Sequence, residues 1–214
     1  VLELRKRASV LENDSDFAGA IYLISKAVDK VSKGIYSGCR ADLYSDLARL
    51  NLNIGDFLSD LDSIQIARLP LSEQILENDS YMKARGFYSL SLKEARVAEK
   101  SMRIAFSTFG TGITYHKLGD YDMAASLYDT ADSLFMNYLD GIENDSIRKV
   151  QSSNRLWIKN AQGLNFFRIG VKAGDTVSVS KSLTVYKEVI SVLSPKDTNE
   201  RVMAYNNLGG SYMW

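Results

Sequence analysis

The strongest constraint on this chain is an apolar spacing of three and four residues that continues along most of its length. Between Asp16 and Val31 the apolar side chains keep this spacing and form one stripe of a helix. The stripe consists of Phe17, Ala20, Ile21, Ile24, Ala27, Val28 and Val31. Only 2 of the 214 residues are proline, which interrupts helices. We therefore expect an all-α protein in which Pro70 and Pro195 lie at helix boundaries.

The same spacing predicts a series of further helices separated by residues that favour turns. They cover about Leu43–Ile54, Leu58–Leu69, Ser91–Leu118, Tyr121–Tyr138, Ser146–Val171, Val179–Leu193 and a segment after Asp197. Gly55-Asp56 and Gly119-Asp120 are expected to break helices, and Ser91 to Glu94 has the form of a capping box. Residues 71–91 fit two short helices. The best strand candidate, Thr176–Ser180, is interpreted as a helix entry.

Composition excludes several classes of function. The 26 basic and 26 acidic residues give a formal net charge of zero, so the basic surface typical of nucleic-acid-binding proteins is not expected. Cys39 is the sole cysteine and His116 the sole histidine, which excludes a disulfide within the chain, a thiolate metal cluster and a paired-histidine metal site. No apolar run reaches the roughly 18–20 residues of a membrane span. We expect no cofactor, no metal and no nucleic-acid partner.

The two ends predict a fragment of a longer protein. The chain begins at Val1 without an initiator methionine and stops at Trp214 inside a predicted helix. Signal, anchor or effector segments are therefore expected to lie elsewhere. The compartment stays open between periplasm and cytoplasm, because a single cysteine suits both.

One four-residue sequence, Glu-Asn-Asp-Ser, occurs three times, beginning at Glu12, Glu77 and Glu143. Asparagine, aspartate and serine compete with the helical backbone for hydrogen bonds, so the repeated sequence is expected to end or cap helices. Each copy is also an Asn-x-Ser acceptor sequence for glycosylation, which is the alternative interpretation.

A second repetition joins small and aromatic residues at fixed spacings. Its clearest copy consists of Thr111, Gly112, Tyr115, Gly119, Tyr121, Ala124, Tyr128 and Ala131. Small residues allow two helices to approach closely, while the aromatic rings fill the space around them. This arrangement resembles the tetratricopeptide-repeat (TPR) family. A half copy at the end, Tyr205-x-x-Leu208-Gly209-x-x-Tyr212, is similar to the opening of the family's repeat.

The resemblance implies a single right-handed superhelix, an α-solenoid of antiparallel helix pairs, over residues 1–214. Other copies are degenerate, and the implied repeats lie near 1–33, 41–69, 71–104, 105–140, 146–193 and, in part, 202–214. Most aromatic residues, including Tyr128, Tyr186, Tyr205 and Trp157, are expected in the core between helices.

The resemblance also implies a ligand-binding concave face lined by residues of each repeat's first helix. The candidates are Arg49, Asn53, Phe109, His116, Arg155, Gln162, Asn165 and Asn206. Arginine, asparagine and glutamine can bond the amides or carboxylates of an extended peptide. The implied function is a non-catalytic protein- or peptide-binding scaffold, in the sensory or regulatory region of a larger bacterial signalling protein. The alternatives are a self-association module using the open C-terminal helix and, less favoured, an enzyme.

No motif supplies a catalytic group. His116 has no partner motif that would orient it as a base, and Cys39 beside Arg40 is interpreted as a small residue near a helix start. Gly110 and Gly112 lack the preceding strand and the third glycine of a phosphate-binding loop, so both are interpreted as helix-packing glycines.

Overall fold

The computed structural model describes residues 1–31, 36–61, 77–193 and 198–213. These residues form nine α-helices and no strand, which confirms the all-α prediction. We number them α1 (Leu2–Asn13), α2 (Phe17–Asp29), α3 (Ser37–Ser59), α4 (Glu77–Val97), α5 (Ser101–Lys117), α6 (Tyr121–Asp140), α7 (Asp145–Ala173), α8 (Thr176–Val192) and α9 (Thr198–Tyr212).

The first of two compact units, Val1–Leu118, contains α1 to α5. Among the described helices, each one packs against the next, and α3 also packs against α5. Its apolar core includes a cluster of Ala20, Ile24, Ala27, Leu43 and Leu47, and a second cluster centres on Ala48, Tyr81, Ala84 and Tyr88. Burial of these stripes stabilises helices that would be marginal alone.

The second unit, Gly119–Trp214, contains α6 to α9. Consecutive helices again pack together, and α7 also packs against α9. Tyr128, Phe135 and Tyr186 are fully buried among its aromatic side chains. In both units, helices that follow one another in the chain therefore lie side by side, as in a helical-repeat-like bundle. The single right-handed superhelix over 1–214 stays a prediction.

Local backbone geometry sets the corners between helices. Ser15, Glu99, Gly119 and Gly174 have positive φ angles of 62°, 53°, 81° and 65°. At three of these corners the next residue donates its N–H to the carbonyl five residues earlier, as Asp175 N does to Gly170 O at 2.8 Å. Asp16, Asp120 and Asp175 then accept N–H groups of the following helix through their side chains. The break predicted at Gly119-Asp120 is confirmed.

Two predicted helix boundaries are wrong because the residues make contacts between helices. Gly55 lies inside α3, where an added Cβ would come within 2.8 Å of three ring carbons of Tyr81. Ser91 lies inside α4 and is fully buried. Its hydroxyl donates to Ala41 O at 2.7 Å and shares a 2.8 Å hydrogen bond with the hydroxyl of Ser107. The boundary that was expected at Ser91 occurs at residues 98–100 instead.

The predicted repeats correspond to these helices unevenly. The segments 1–33, 105–140 and 146–193 each hold two helices, as the pattern predicts. The segment 41–69 is one helix as far as Ser59, and the described part of 71–104 holds α4 and the start of α5. Asp60 and Leu61 follow the end of α3 and are not helical, whereas residues 62–69 of the predicted helix Leu58–Leu69, like Pro70 and Pro195, lie outside the described residues.

Two copies of Glu-Asn-Asp-Ser lie at helix ends, as expected: the first closes α1 and the third leads into α7. The second copy lies in the first described turn of α4, directly after residues outside the described range. At the first copy the capping side chain is that of Asp16, one residue beyond the repeated sequence. Glycosylation stays a prediction.

The core prediction for the aromatic residues is confirmed in part. Tyr128 and Tyr186 are buried, whereas Trp157 and Tyr205 are 47% and 48% exposed. The expected core positions of these last two residues are wrong. Spacing along one helix fixes which side chains share a face, but it does not fix how much of that face a neighbouring helix covers.

Glycines at three helix contacts each receive a tyrosine ring. Gly55 packs against Tyr81, Gly110 against Tyr88 and Gly163 against Tyr186. In all three pairs the ring lies so close to the glycine that there is no room for a Cβ. Each added Cβ would lie within 3.0 Å of three ring carbons. The helix-packing interpretation of Gly110 is confirmed, and Gly112 on the same helix is buried.

Replacing Glu99 by glycine is expected to stabilise the protein by about 1 kcal/mol. Glu99 has a φ of 53°, which costs a side-chain-bearing residue roughly 1–2 kcal/mol, partly offset by the greater entropy of glycine when unfolded. Glu99→Ala is the matched control, because it removes the same charge and keeps the Cβ. Urea denaturation should show a higher midpoint for Glu99→Gly alone. Equal midpoints for the two variants would contradict the strain.

Tyr186→Phe is expected to leave stability unchanged or to raise it by about 1 kcal/mol. The Tyr186 hydroxyl is buried without a hydrogen-bond partner, and burial raises the pKa of this phenol. Deleting an unsatisfied polar atom removes its desolvation cost. Tyr81→Phe is the control and should lose about 1 kcal/mol, because Tyr81 OH donates to Asp56 Oδ1 at 3.0 Å. Thermal melts in which both variants lose stability equally would refute the difference.

Candidate functional site

A charged cleft of about 290 Å³ opens between α1 and α3 in the first unit. Its polar lining comes from both helices and consists of Arg5, Lys6, Ser9, Glu12, Asp46 and Arg49. Ala8, Ile24 and Leu50 supply the apolar part. Residues three or four apart share a helix face, so α1 presents Arg5, Ser9 and Glu12 together, while α3 presents Asp46, Arg49 and Leu50.

Two ion pairs join α1 and α3 across the cleft. In one the cation comes from α1, and in the other it comes from α3. Arg5 Nε donates to Asp46 Oδ2 at 2.7 Å, while Arg49 pairs with Glu12. Asn53 Nδ2 donates to the same Glu12 oxygen at 2.8 Å. Partial burial lowers the pKa of Arg5, but its hydrogen bond and the charge of Asp46 together raise it above the usual value. Arg5 therefore stays charged at any physiological pH.

The cleft carries more hydrogen-bond donors than its own acceptors use. Each guanidinium has five N–H donors, and Lys6 adds a third cation on the α1 side. The two carboxylates accept from Arg5, Arg49 and Asn53. The remaining donors of the cleft can therefore form hydrogen bonds to an anionic oxygen of a bound molecule.

The polar face continues from α3 to α5. Asp42 forms ion pairs with Arg103, whose Nη2 lies 2.7 Å from Asp42 Oδ1, and with Lys100, whose Nζ lies 3.7 Å from Asp42 Oδ2. Arg103 also donates to Ser45 Oγ at 3.1 Å. Charged side chains thus bridge the alternate helices α1, α3 and α5 on the unit's polar face.

Arg49 and Asn53 are the two predicted site residues that the structure brings together, since both bind Glu12. Phe109 and His116 lie on α5, half-buried, and do not line the cleft. Asn206 is exposed on α9 in the second unit.

The other three predicted residues lie on α7 and bind α6. Each makes its own polar contact: Arg155 Nη2 with Asp132 at 2.9 Å, Gln162 Nε2 with Asp129 at 2.7 Å, and Asn165 Nδ2 with the carbonyl of Tyr121 at 2.8 Å. Burial raises the pKa of Asp132, but hydrogen bonds and charges from Arg155 and Lys159 lower it overall. These side chains hold α6 against α7 within the second unit.

Sequence reasoning missed Arg5, Glu12 and Asp46 as members of the site. Glu12 belonged to a repeated sequence that was expected to act only at helix ends. Arg5 and Asp46 fit an ordinary solvated helix surface. These charges could be paired from the sequence only if α1 and α3 were already known to be neighbours.

A second polar cluster lies inside the first unit, centred on Arg40. The residue is 6% exposed, and its guanidinium donates to Val31 O at 2.9 Å, to Val28 O at 3.3 Å and to Glu94 at 3.2 Å. It also bonds the hydroxyl of Tyr44. Arg40 therefore satisfies carbonyls at the end of α2 and ties α3 to α4.

The described residues contain no group of three or more histidine, cysteine, aspartate or glutamate side chains placed to hold a metal ion. In the same part of the chain, none of the helices combines the length and apolar character needed to cross a membrane. Cys39 is half-buried.

The chain matches no model of a known protein family, and it matches no curated protein. Its helices and their contacts define an all-α protein with a helical-repeat-like architecture.

Proposed function

We propose that this protein is a non-catalytic scaffold, of the TPR type that its sequence resembles, and that it binds a peptide or protein segment in the cleft between α1 and α3. The observation that carries the proposal is the convergence of Arg5 and Arg49 on a cleft of about 290 Å³, where Asn53 binds Glu12 of the cleft lining. Two of these residues, Arg49 and Asn53, were selected from the sequence as ligand-binding candidates.

The chemistry of the cleft favours recognition over catalysis. Its polar groups are arginines, a lysine, carboxylates and a serine, and the carboxylates are bound by arginine. Nucleophilic catalysis needs a base beside the nucleophile and an orienting group beside the base. A peptide, in contrast, offers backbone amides and charged groups that match paired cations and anions.

Selection from a displayed library of random peptides tests this proposal. We expect enriched peptides whose affinity falls about tenfold or more in Arg49→Gln, because a charge-assisted hydrogen bond is lost. Arg7→Gln is the matched control, since Arg7 is exposed on α1 and does not line the cleft. A library that yields no peptide dependent on Arg49 would overturn the proposal.

Self-association through α9 is the second candidate. Val202 and Tyr212 are 54% and 59% exposed on this helix, and an added Cβ at Gly209 would meet nothing within 4 Å. An uncovered glycine beside exposed apolar side chains suits the approach of another helix. Light scattering during size exclusion should then give a mass that rises with concentration. A monomer at every concentration would exclude this candidate.

We also propose that the scaffold serves as the sensory or regulatory region of a larger bacterial signalling protein. This rests on the sequence resemblance to degenerate TPR arrays. The full reading frame tests it, and a frame without an effector domain or membrane anchor would refute it.

A further inference from the structure

We infer that the solvent-facing side of α4 is a docking surface for an amphipathic helix with acidic residues beside its apolar face. Four residues define this surface, which we call the α4 stripe: Met82, Gly86, Leu90 and Val97. None of the residues that line the α1–α3 cleft lies on α4. The inference therefore goes beyond the proposed function and does not depend on it.

The α4 stripe is apolar and exposed along most of the helix. Its members follow one another at intervals of four, four and seven residues, so they cover only about 80° of the helix circumference. Met82, Leu90 and Val97 are 50%, 42% and 64% exposed. At the helical rise the stripe is about 22 Å long, which is the contact length of a partner helix of about four turns. An exposed apolar surface with polar edges is typical of an interaction site.

Gly86 gives the stripe a shape that suits a helix. It lies near the middle of α4, and an added Cβ would have nothing within 4 Å. Gly55 and Gly110 of the same unit each make room for a tyrosine ring, whereas Gly86 makes room for no described side chain. Glycine weakens the interior of a helix, but it allows a second helix to approach the backbone closely. The bare position is therefore explained by a partner helix that crosses α4 at Gly86.

The cations beside the stripe are not neutralised within the protein. The chain as a whole is neutral, but residues 81–118 contain seven lysine or arginine residues and only two glutamates. Helical spacing places Lys93 within the stripe, Lys83 at one edge and Arg96 at the other. All three are exposed, and in the described part of the chain none of them lies within ion-pair distance of a carboxylate. Complementary charge then requires acidic residues on the partner.

The nearby acidic residues of the protein do not change this charge. Glu94 is bound by Arg40 of α3 at 3.2 Å. The sequence of α5, which also packs against α4, contains no acidic residue. Asp79 and Glu99 lie beyond the two ends of the stripe. Between Met82 and Val97 the surface therefore offers a partner apolar contact and positive charge.

Two other occupants fit the α4 stripe less well. A second copy of α4 would bring the same positive charges together, which is unfavourable. Helices that lie on an anionic membrane insert bulky tryptophan, phenylalanine or leucine side chains, whereas the stripe has one leucine and no aromatic residue. A gap at Gly86 also serves a helix and not a lipid surface.

The test titrates three labelled peptides by fluorescence anisotropy. The acidic probe repeats Glu-Leu-Glu-Glu-Leu-Ala-Glu three times, which gives leucine the spacing of one helix face. The basic probe has lysine in place of glutamate, and the polar probe has serine in place of leucine. Gly86→Leu fills the open position and Lys93→Glu reverses one charge of the stripe. Arg7→Glu on α1 and Arg49→Gln in the cleft are the matched controls, and thermal melts verify that every variant is folded.

We expect the natural chain to bind the acidic probe and to bind the other two at least about tenfold more weakly. Gly86→Leu should weaken the acidic probe about tenfold, because the added side chain keeps the helices apart. Lys93→Glu should weaken it by a similar factor, because it repels the glutamates. Arg7→Glu and Arg49→Gln should bind it as the natural chain does.

Several results would overturn the inference. The first is an acidic probe that does not bind, or that binds Gly86→Leu as tightly as the natural chain. An affinity that falls in Arg49→Gln would place the binding in the cleft instead. Sedimentation with vesicles of phosphatidylcholine and phosphatidylserine that Lys93→Glu abolishes and Gly86→Leu retains would assign a membrane surface. A mass that rises with concentration in light scattering, but not in Gly86→Leu, would assign a second copy of this chain.

Discussion

Gly110→Ala is expected to destabilise the protein by about 1–3 kcal/mol. A Cβ at this position would lie within 2.7 Å of three ring carbons of Tyr88, a buried residue of α4. Neither the ring nor the α5 backbone can give way without disturbing the core around Ala48 and Tyr81, in which Tyr88 packs. The greater helix propensity of alanine offsets less than about 1 kcal/mol of this cost.

Gly86→Ala is the matched control for that substitution. Gly86 lies inside α4, and an added Cβ would have nothing within 4 Å. Alanine there should stabilise the helix by about 0.5–1 kcal/mol. Chemical denaturation of the two variants should therefore give shifts of opposite sign. Shifts of the same sign would contradict the close contact between Gly110 and Tyr88.

Arg40→Met is expected to cost about 3–5 kcal/mol of unfolding free energy. The substitution leaves the carboxylate of Glu94 and the carbonyls of Val28 and Val31 without their shared donor in a largely buried setting. Unsatisfied buried acceptors account for most of the cost. Methionine keeps a similar length and apolar stem, so the loss reports on charge and hydrogen bonding.

Arg7→Met is the control, since Arg7 is exposed on α1 and should change stability by less than about 0.5 kcal/mol. The double variant Arg40→Met with Glu94→Gln should recover part of the loss, because it removes the unpaired buried charge. Urea denaturation measures all of these variants. A loss below about 1 kcal/mol in Arg40→Met would show that the network contributes little.

The helices were predictable from sequence because their apolar periodicity is local. The corner at Gly119-Asp120 was also predictable, since glycine adopts positive φ and aspartate caps the next helix. Gly55 and Ser91 were assigned wrongly because their roles depend on a second helix. Glycine and serine are common in turns, but here Gly55 leaves space for the ring of Tyr81 and Ser91 forms a hydrogen bond between two helices.

Only the α3 side of the candidate site was predictable from the sequence, whereas the α1 side was not. Arg49 and Asn53 share a face of α3, which their spacing of four residues indicates. Glu12, their partner, is 37 and 41 residues away in the chain. Arg155, Gln162 and Asn165 also share a face of α7, but their acceptors on α6 could not be inferred from the spacing. Polar residues on a helix can bind a ligand or a neighbouring helix, and their spacing is the same in both cases.

The most direct test of the scaffold proposal is the affinity of a library-selected peptide for the natural chain and for Arg49→Gln, measured by isothermal titration calorimetry. We predict a one-to-one complex that Arg49→Gln weakens about tenfold or more and that Arg7→Gln leaves unchanged. Equal affinities for all three proteins would contradict binding in the cleft between α1 and α3.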